Sequence, residues 1–86
     1  MASEASAFSA VTVEVAAQLV RMPPARIRRY TRLGLVAPRQ EAQGRAWYGP
    51  RELARLRKIR RLRDDLGVND AGIEIILRLI ERLEAD

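Results

Sequence analysis

The amino-acid sequence predicts a mainly α-helical domain that carries one short β-hairpin. Two segments with apolar residues at helical spacing flank the double proline Pro23-Pro24. Two β-prone runs then flank a polar stretch at residues 38–45, and two longer helical segments follow Gly49. Helix, tight turn, helix and hairpin in this order make a winged helix-turn-helix. We expect one such domain over residues 12–86, behind a flexible N-terminal arm at residues 1–11.

The first two helices are delimited by residues with known preferences for helix ends. Thr12 is a suitable N-cap for a helix that ends at Val20. Proline disfavours helix in the residue before it and suits the first turn of a helix, so Pro24 begins the second helix. Gly34 ends that helix as a left-handed C-cap. A tight turn therefore separates the two helices.

The second helix is the candidate functional element because its two sides differ in character. In helical projection Ile27, Tyr30 and Thr31 share one side. The other side carries four arginines, namely Arg26, Arg28, Arg29 and Arg32. A short helix with one apolar side and guanidinium groups on the other has the size and charge to enter a DNA major groove. A solvated arginine face that serves solubility is the alternative for this helix taken alone.

The predicted hairpin joins the strands Leu35-Val36 and Ala46-Trp47-Tyr48, with Arg39 and Arg45 near its tip. A hairpin after a helix-turn-helix is a wing, and wings lie along phosphates or enter the minor groove. Trp47 and Tyr48 fall on opposite strand faces. We expect one of them in the core and the other beside the arginines, although a pair of packing aromatics is the commoner outcome.

Two further helices complete the predicted domain. The third begins at Gly49-Pro50 and ends near Leu66, and the fourth is capped by Asn69. Their predicted buried stripes are Leu53, Leu56, Ile59, Leu62 and Leu66 in the third helix, and Ile73, Ile76, Leu77, Ile80 and Leu83 in the fourth. A second stripe of the last helix is formed by Ile75 and Leu79. With Leu83 it is the candidate interface for a homodimer or another partner, unless the first and third helices cover it.

Charge is unevenly distributed along the chain. The net charge is +5, and 15 of the 16 basic residues are arginine. Residues 21–63 carry 14 bases and two acids, whereas residues 64–86 carry two bases and seven acids. Interspersed signs would serve solubility equally well, so this segregation favours a polyanionic partner for the middle of the chain.

The composition argues against several other classes of function. Cysteine and histidine are absent, so thiolate or imidazole zinc sites, disulfides and a histidine general base are excluded. The aspartates do not follow an EF-hand spacing, and no glycine-rich phosphate loop is present. With 86 residues a dedicated catalytic cavity is not expected. We predict no enzyme activity, no cofactor and no metal. The first ten residues resemble neither a signal peptide nor a membrane span, which indicates a cytoplasmic protein.

Residues 12–83 resemble the winged helix-turn-helix of MerR-type regulators in order and spacing. The motifs that carry the resemblance are Thr12-Val13-Glu14-Val15-Ala16, the turn with Pro24, Ile27-Arg28, Tyr30, Arg32-Leu33-Gly34-Leu35-Val36, Pro38, and Tyr48 followed by Arg51-Glu52-Leu53. The run from Leu66 to Ile76 is similar to a narrower branch, the heat-shock repressor HspR and its relatives. This resemblance implies a repressor that binds inverted-repeat operators in double-stranded DNA upstream of chaperone genes. It places Arg28 and its neighbours in the major groove and the wing on the flanking backbone.

The chain departs from the MerR pattern in three respects. Ala46 and Trp47 stand where most relatives have paired arginines before the wing tyrosine. Arg21 stands where glycine is common, and Pro23 where a serine or threonine cap is favoured. The sequence also ends at Asp86, before the long coiled-coil helix and effector segment of larger relatives. We therefore expect it to sense neither metals nor drugs.

A second resemblance favours a different partner. The small chaperone modulators CbpM and DafA are similar in their Leu-Gly-Val-Asn-type junction and apolar last helix, and they bind a DnaJ-type J-domain co-chaperone of the DnaK system. A J-domain displays a basic helix, which could meet an acidic surface. That surface would be formed by Asp64, Asp65, Asp70, Glu74, Glu81 and Glu84. The arginine-rich second helix favours DNA, whereas the missing dimerisation helix and the altered wing favour the co-chaperone.

The DNA-binding hypothesis assigns specific roles to individual residues. Arg28 and Arg29 are predicted to read base edges, and Arg39, Arg45 and Arg57 to hold phosphates. The full predicted DNA-binding set is Arg26, Arg28, Arg29, Tyr30, Arg32, Arg39, Arg45, Trp47, Tyr48 and Arg57.

Overall fold

The computed structural model describes residues 10–85. Its elements in chain order are β1 (Val11–Thr12), α1 (Val13–Val20), α2 (Pro24–Arg32), β2 (Gln40–Ala42), β3 (Arg45–Tyr48), α3 (Pro50–Arg60), a π-helical turn (Arg61–Asp65) and α4 (Asp70–Ala85). This is the predicted mainly α-helical winged helix-turn-helix, with β2 and β3 as the wing. Most of the predicted arm lies outside the described residues, and Val11 belongs to β1. Within the described range every helix is too short or too polar for a bilayer crossing.

The helix-turn-helix has the predicted ends. The Thr12 hydroxyl accepts a hydrogen bond from the Val15 amide at 3.4 Å, which caps α1. Arg21 ends α1 in the left-handed region with φ of 58°, a conformation that glycine adopts more readily. Pro24 is the first residue of α2, and Gly34 follows that helix with φ of 79°. The predictions for Thr12, Pro24 and Gly34 are confirmed.

The wing differs from the prediction in its first strand. A two-residue turn at Gln43-Gly44, with φ of 53° and 75°, pairs Ala42 with Arg45. This register places residues 40–42 opposite β3, so the predicted strand Leu35-Val36 is wrong. Those two residues are instead buried, at 5% and 1% exposure, below the end of α2.

The sheet also contains a strand that the sequence did not indicate. β1 pairs antiparallel with β3, which is therefore the central strand of the order β1-β3-β2. Val11 lies opposite Tyr48, and Thr12 lies opposite Trp47. Since Thr12 is also the N-cap of α1, this pairing joins the first helix directly to the wing.

One apolar core holds these elements together. Leu53, Leu56 and Ile59 of α3 are buried as predicted, and Leu62 is partly buried against them. Two other members of the predicted stripes are exposed: Leu66 at 66% and Leu83 at 77%. The core residues are Ala16, Ala17, Val20, Met22, Ile27, Tyr30, Leu35, Val36, Tyr48, Leu53, Leu56, Ile59, Ile73 and Leu77.

The exposure of Leu66 and of Leu83 has a separate cause in each case. The third helix does not continue regularly to Leu66, because α3 changes into the π-helical turn after Arg60. In the last turns of α4 the side that faces α3 carries Ile80 and Glu84, which line a groove with residues of α3. Leu83 lies about 100° from Glu84 around that helix and therefore points outward.

The π-helical turn is the main irregularity of the helical framework. The Leu66 amide donates to the Arg61 carbonyl, five residues earlier, at 3.2 Å. Arg63 and Asp64 lie within this turn. Both side chains contact residues of α2, namely Tyr30 and Arg26. Asn69 caps α4, since its side-chain oxygen accepts from the Gly72 amide at 2.9 Å, as predicted.

Candidate nucleic-acid interface

An open cleft lies between α2 and the wing. Arg28 and Arg32 line it from α2, and Arg45 lines it from the first residue of β3. Tyr48 forms part of its wall, and Glu14 lies at its α1 edge. The structure thus gathers three of the predicted DNA-binding arginines into one concave surface. Arg32 and Arg45 make no ion pair within residues 10–85, which leaves both guanidinium groups available to an anionic ligand.

A hydrogen bond joins the two walls of the cleft. Ile27 and Tyr30 anchor α2 in the core with no exposed surface. The Thr31 hydroxyl bonds to the Ile27 carbonyl at 2.8 Å and to the Tyr48 hydroxyl at 2.8 Å. Tyr48 is buried in the core at 1% exposure, so this contact fixes β3 against α2.

We expect replacement of Tyr48 by phenylalanine to lower the free energy of unfolding by about 1 kcal/mol, because Thr31 loses its partner on β3. Urea denaturation followed by circular dichroism measures this change. Thr31→Ser is the matched control, since it keeps the hydroxyl. A double-mutant cycle of Tyr48→Phe with Thr31→Val should show coupling between the two positions. Additive effects would mean that the bond does not join α2 to the wing.

Arg28 is the best-placed arginine of α2 for a ligand in the cleft. Its Nη2 atom lies 2.9 Å from Glu14 Oε2. Both side chains are well exposed, at 50% and 65%, so the pair contributes little to stability. Glu14 therefore orients the Arg28 guanidinium at the edge of the cleft but holds it only weakly. An anionic ligand can displace that carboxylate at low energetic cost.

Arg26 and Arg29 point in a different direction. Arg26 Nη1 lies 3.2 Å from both carboxylate oxygens of Asp64, and Arg29 pairs with Asp70. Neither arginine lines the cleft. The prediction that four arginines share one exposed face is wrong in this respect: the structure divides them into Arg28 and Arg32 beside the wing, and Arg26 and Arg29 beside the junction of α3 and α4.

A polar network connects α2 to that junction. The hydroxyl of the buried Tyr30 donates to Asp70 Oδ1 at 3.3 Å and accepts from Arg63 Nη1 at 3.1 Å. Arg63 also donates to Asp70 Oδ1 at 3.3 Å. The hydrogen bond to Tyr30 raises the pKa of Arg63, and the nearby Asp70 and Asp64 act in the same direction. Tyr30, placed in the predicted DNA-binding set, is a core residue with its polar end in this network.

The remaining predicted DNA-binding residues lie outside the cleft. Arg39 is not at the wing tip: its amide donates to the Trp47 carbonyl at 2.8 Å, and its side chain passes beside Gly49 at the base of the hairpin. Trp47 is partly buried, on the face of β3 opposite Tyr48. Arg57 is exposed on α3. Arg39 was predicted near the wing tip, but the tip is the two-residue turn at residues 43–44. Arg39 instead immediately precedes β2, at the other end of the hairpin.

The acidic residues proposed to face a J-domain are mostly paired with arginines of the same chain. Asp64 and Asp70 contact α2, Glu81 pairs with Arg55, and Glu74 lies 3.7 Å from Arg78. They do not form a continuous free acidic surface. Nor do the acidic side chains of residues 10–85 form any group of three or more that could hold a metal ion.

In this domain the second helix of the helix-turn-helix and the adjoining hairpin form the two sides of an arginine-lined cleft. This arrangement is characteristic of winged helix-turn-helix regulators. The chain belongs to the MerR family of helix-turn-helix regulatory proteins, whose family model matches residues 11–80. It is 42% identical over 67 residues to a Streptomyces coelicolor protein provisionally named heat shock protein HspR. That match covers 78% of this chain and 44% of the relative, so the chain spans less than half of the relative's length.

Proposed function

We propose that this chain is a sequence-specific DNA-binding transcriptional regulator, and specifically an HspR-like repressor of chaperone and heat-shock genes. The observation that carries the DNA-binding role is the convergence of Arg28, Arg32 and Arg45 on one cleft between helix and wing. The similarity to a relative named as a heat shock protein supports the choice of target genes. Such a role would place the protein in the cytoplasm with the chromosome.

In this mechanism α2 enters the major groove. Arg28 and Arg32 lie one helical turn apart and can present two forked donor groups to neighbouring base edges. Ile27 and Tyr30 hold the helix from behind, so its orientation is fixed before DNA binds. Arg45, next to the wing turn, reaches the flanking phosphates. Guanidinium groups on both walls thus contact the duplex from one docked position.

An inverted-repeat operator requires two copies of the domain. The exposed stripe of α4 offers a surface for their association, because Ile75, Leu79 and Leu83 are 59%, 53% and 77% exposed. We propose that the predicted homodimer forms there.

The direct test is selection of duplexes from a randomised pool by the purified chain. The enriched duplex and a DnaJ-type J-domain protein are then titrated separately at two salt concentrations. We expect enrichment of an inverted repeat, which binds more tightly than a scrambled duplex and more weakly as salt rises. Failure to enrich any sequence, together with tight binding of the J-domain, would instead place the chain among the chaperone modulators.

We expect Arg45→Ala to weaken binding to all duplexes by a similar factor, because a phosphate contact carries no base information. The slope of log affinity against log salt should become shallower by about 0.9, the value for one lost phosphate contact. Fluorescence anisotropy with the enriched and scrambled duplexes measures both quantities. Arg82→Ala removes the same charge from exposed α4 and serves as the control. If the two variants behave alike, the wing does not touch the backbone.

A further inference from the structure

We propose that Asp64 and Asp70 compete with DNA for two arginines of α2 and thereby limit sequence-independent binding. By holding Arg26 and Arg29, the two carboxylates leave recognition to Arg28 and Arg32 on the wing side. This inference rests on the proposed DNA-binding function and refines it. It assigns a role in setting sequence-independent affinity to the junction between α3 and α4, which itself does not line the cleft.

Asp64 is placed to engage Arg26 by the π-helical turn. Arg26 Nη1 lies 3.2 Å from each oxygen of the carboxylate, and the two side chains are 25% and 41% exposed. The pair is therefore partly shielded from solvent, which strengthens it relative to a surface pair. For Arg26 to reach a phosphate, this contact must open.

Asp70 is held more firmly than Asp64. It is 23% exposed, and besides Arg29 it receives hydrogen bonds from the Tyr30 hydroxyl and from Arg63, both at 3.3 Å. Three groups, two on α2 and one in the π-helical turn, thus fix one carboxylate. Asp70 is also the first residue of α4, where a negative charge interacts favourably with the helix dipole. It can bind Arg29 but cannot follow that arginine toward DNA.

The ion pair on the opposite side of α2 is built differently. Glu14 is 65% exposed and its carboxylate contacts Arg28 alone among the described residues. It can move away when a ligand takes its arginine. The four arginines of α2 therefore differ in how readily they can be released. Within residues 10–85, Arg32 has no acidic partner, Arg28 has an exposed one, and Arg26 and Arg29 have shielded or anchored ones.

This difference affects total DNA affinity through the salt-dependent part of binding. Each arginine that neutralises a phosphate adds about 0.9 to the slope of log affinity against log salt, whatever the sequence. Withholding two arginines lowers affinity for every duplex. Base contacts by Arg28 and Arg32 are unaffected. The ratio of specific to non-specific affinity therefore stays set by those base contacts, while total affinity falls.

The test compares Asp64→Asn and Asp70→Asn with the unmodified chain, using a random-sequence duplex and fluorescence anisotropy over a range of NaCl concentrations. Each variant should bind this duplex more tightly, with a slope steeper by about 0.9. Accordingly, the affinity ratio of variant to unmodified chain should grow about 3.5-fold as NaCl falls from about 200 to about 50 mM. The matched control is Glu74→Gln, which makes the same charge change on a carboxylate that pairs with Arg78 on α4.

Slopes for both aspartate variants equal to the Glu74→Gln slope would overturn the proposal. Asp70→Asn also disturbs the Tyr30 network, so circular dichroism must show that it is folded. If it is not, Asp64→Asn carries the test, because Asp64 pairs only with Arg26 within residues 10–85. The behaviour of the unmodified chain distinguishes the two proposals. If the unmodified chain shows no salt-dependent DNA binding, both the proposed function and this inference are refuted.

Discussion

Replacing Tyr30 by alanine is expected to lower the free energy of unfolding by about 3 to 5 kcal/mol. Tyr30 has no exposed surface and is among the largest buried side chains of the core. Its removal would leave a cavity beneath α2 and would deprive Asp70 and Arg63 of a shared partner. Domains of this size have total stabilities of about 5 to 15 kcal/mol, so the variant should lose a large fraction of its stability.

Urea denaturation followed by circular dichroism measures the effect. Tyr30→Phe is the matched control, because it keeps the ring and removes only the hydroxyl; its expected cost is about 1 kcal/mol. The difference between the two variants isolates the packing of the ring. A cost below about 1 kcal/mol for Tyr30→Ala would show that α2 is not anchored through this residue.

Replacing Arg28 by alanine should reduce affinity for the enriched duplex by about 1 to 3 kcal/mol, or roughly 5- to 150-fold, and should relax base preference at the contacted position. Stability should hardly change, since the pair with Glu14 is exposed at both ends. Anisotropy titrations with the enriched duplex and with single-base variants of it measure affinity and preference together.

Arg78→Ala is the control for Arg28→Ala, because it breaks an exposed ion pair on α4 that does not line the cleft. A second control is Glu14→Gln, which should retain or slightly increase DNA affinity by releasing Arg28. Unchanged binding by Arg28→Ala at every duplex would remove this residue from the interface and leave the cleft without its main base-reading group.

The parts of the fold that follow local rules could be predicted from the sequence. Thr12, Pro24 and Gly34 fix helix ends through their own conformational preferences, and the structure confirms all three. Strand pairing was harder to predict, because β1 has only two residues and no alternation to detect. Leu35 and Val36 have strand propensity but pack in the core instead of forming a strand. Tertiary packing overrides the propensity at this position.

The candidate site could be predicted only in part for a similar reason. Helical periodicity correctly separates the core side of α2, with Ile27 and Tyr30, from the arginine side. It gives no information about what lies beside each arginine. The partner of Arg26 is 38 residues away, and it comes within reach through a π-helical turn that no sequence rule predicts. Arg28 and Arg26 therefore look equivalent in sequence but have different environments in the folded chain.

Because of the π-helical turn, the contacts between α2 and the start of α4 depend on the exact number of residues between α3 and α4. Deleting one residue there would remove the bond between the Leu66 amide and the Arg61 carbonyl and would change where Asp64 and Asp70 lie relative to α2. Their contacts with Arg26 and Arg29 would then be disturbed, although every side chain of the arginine-bearing helix would be intact. The number of residues in this segment thus matters as much as their chemistry, and homologous regulators that are one residue shorter at this point would need another means of orienting the final helix.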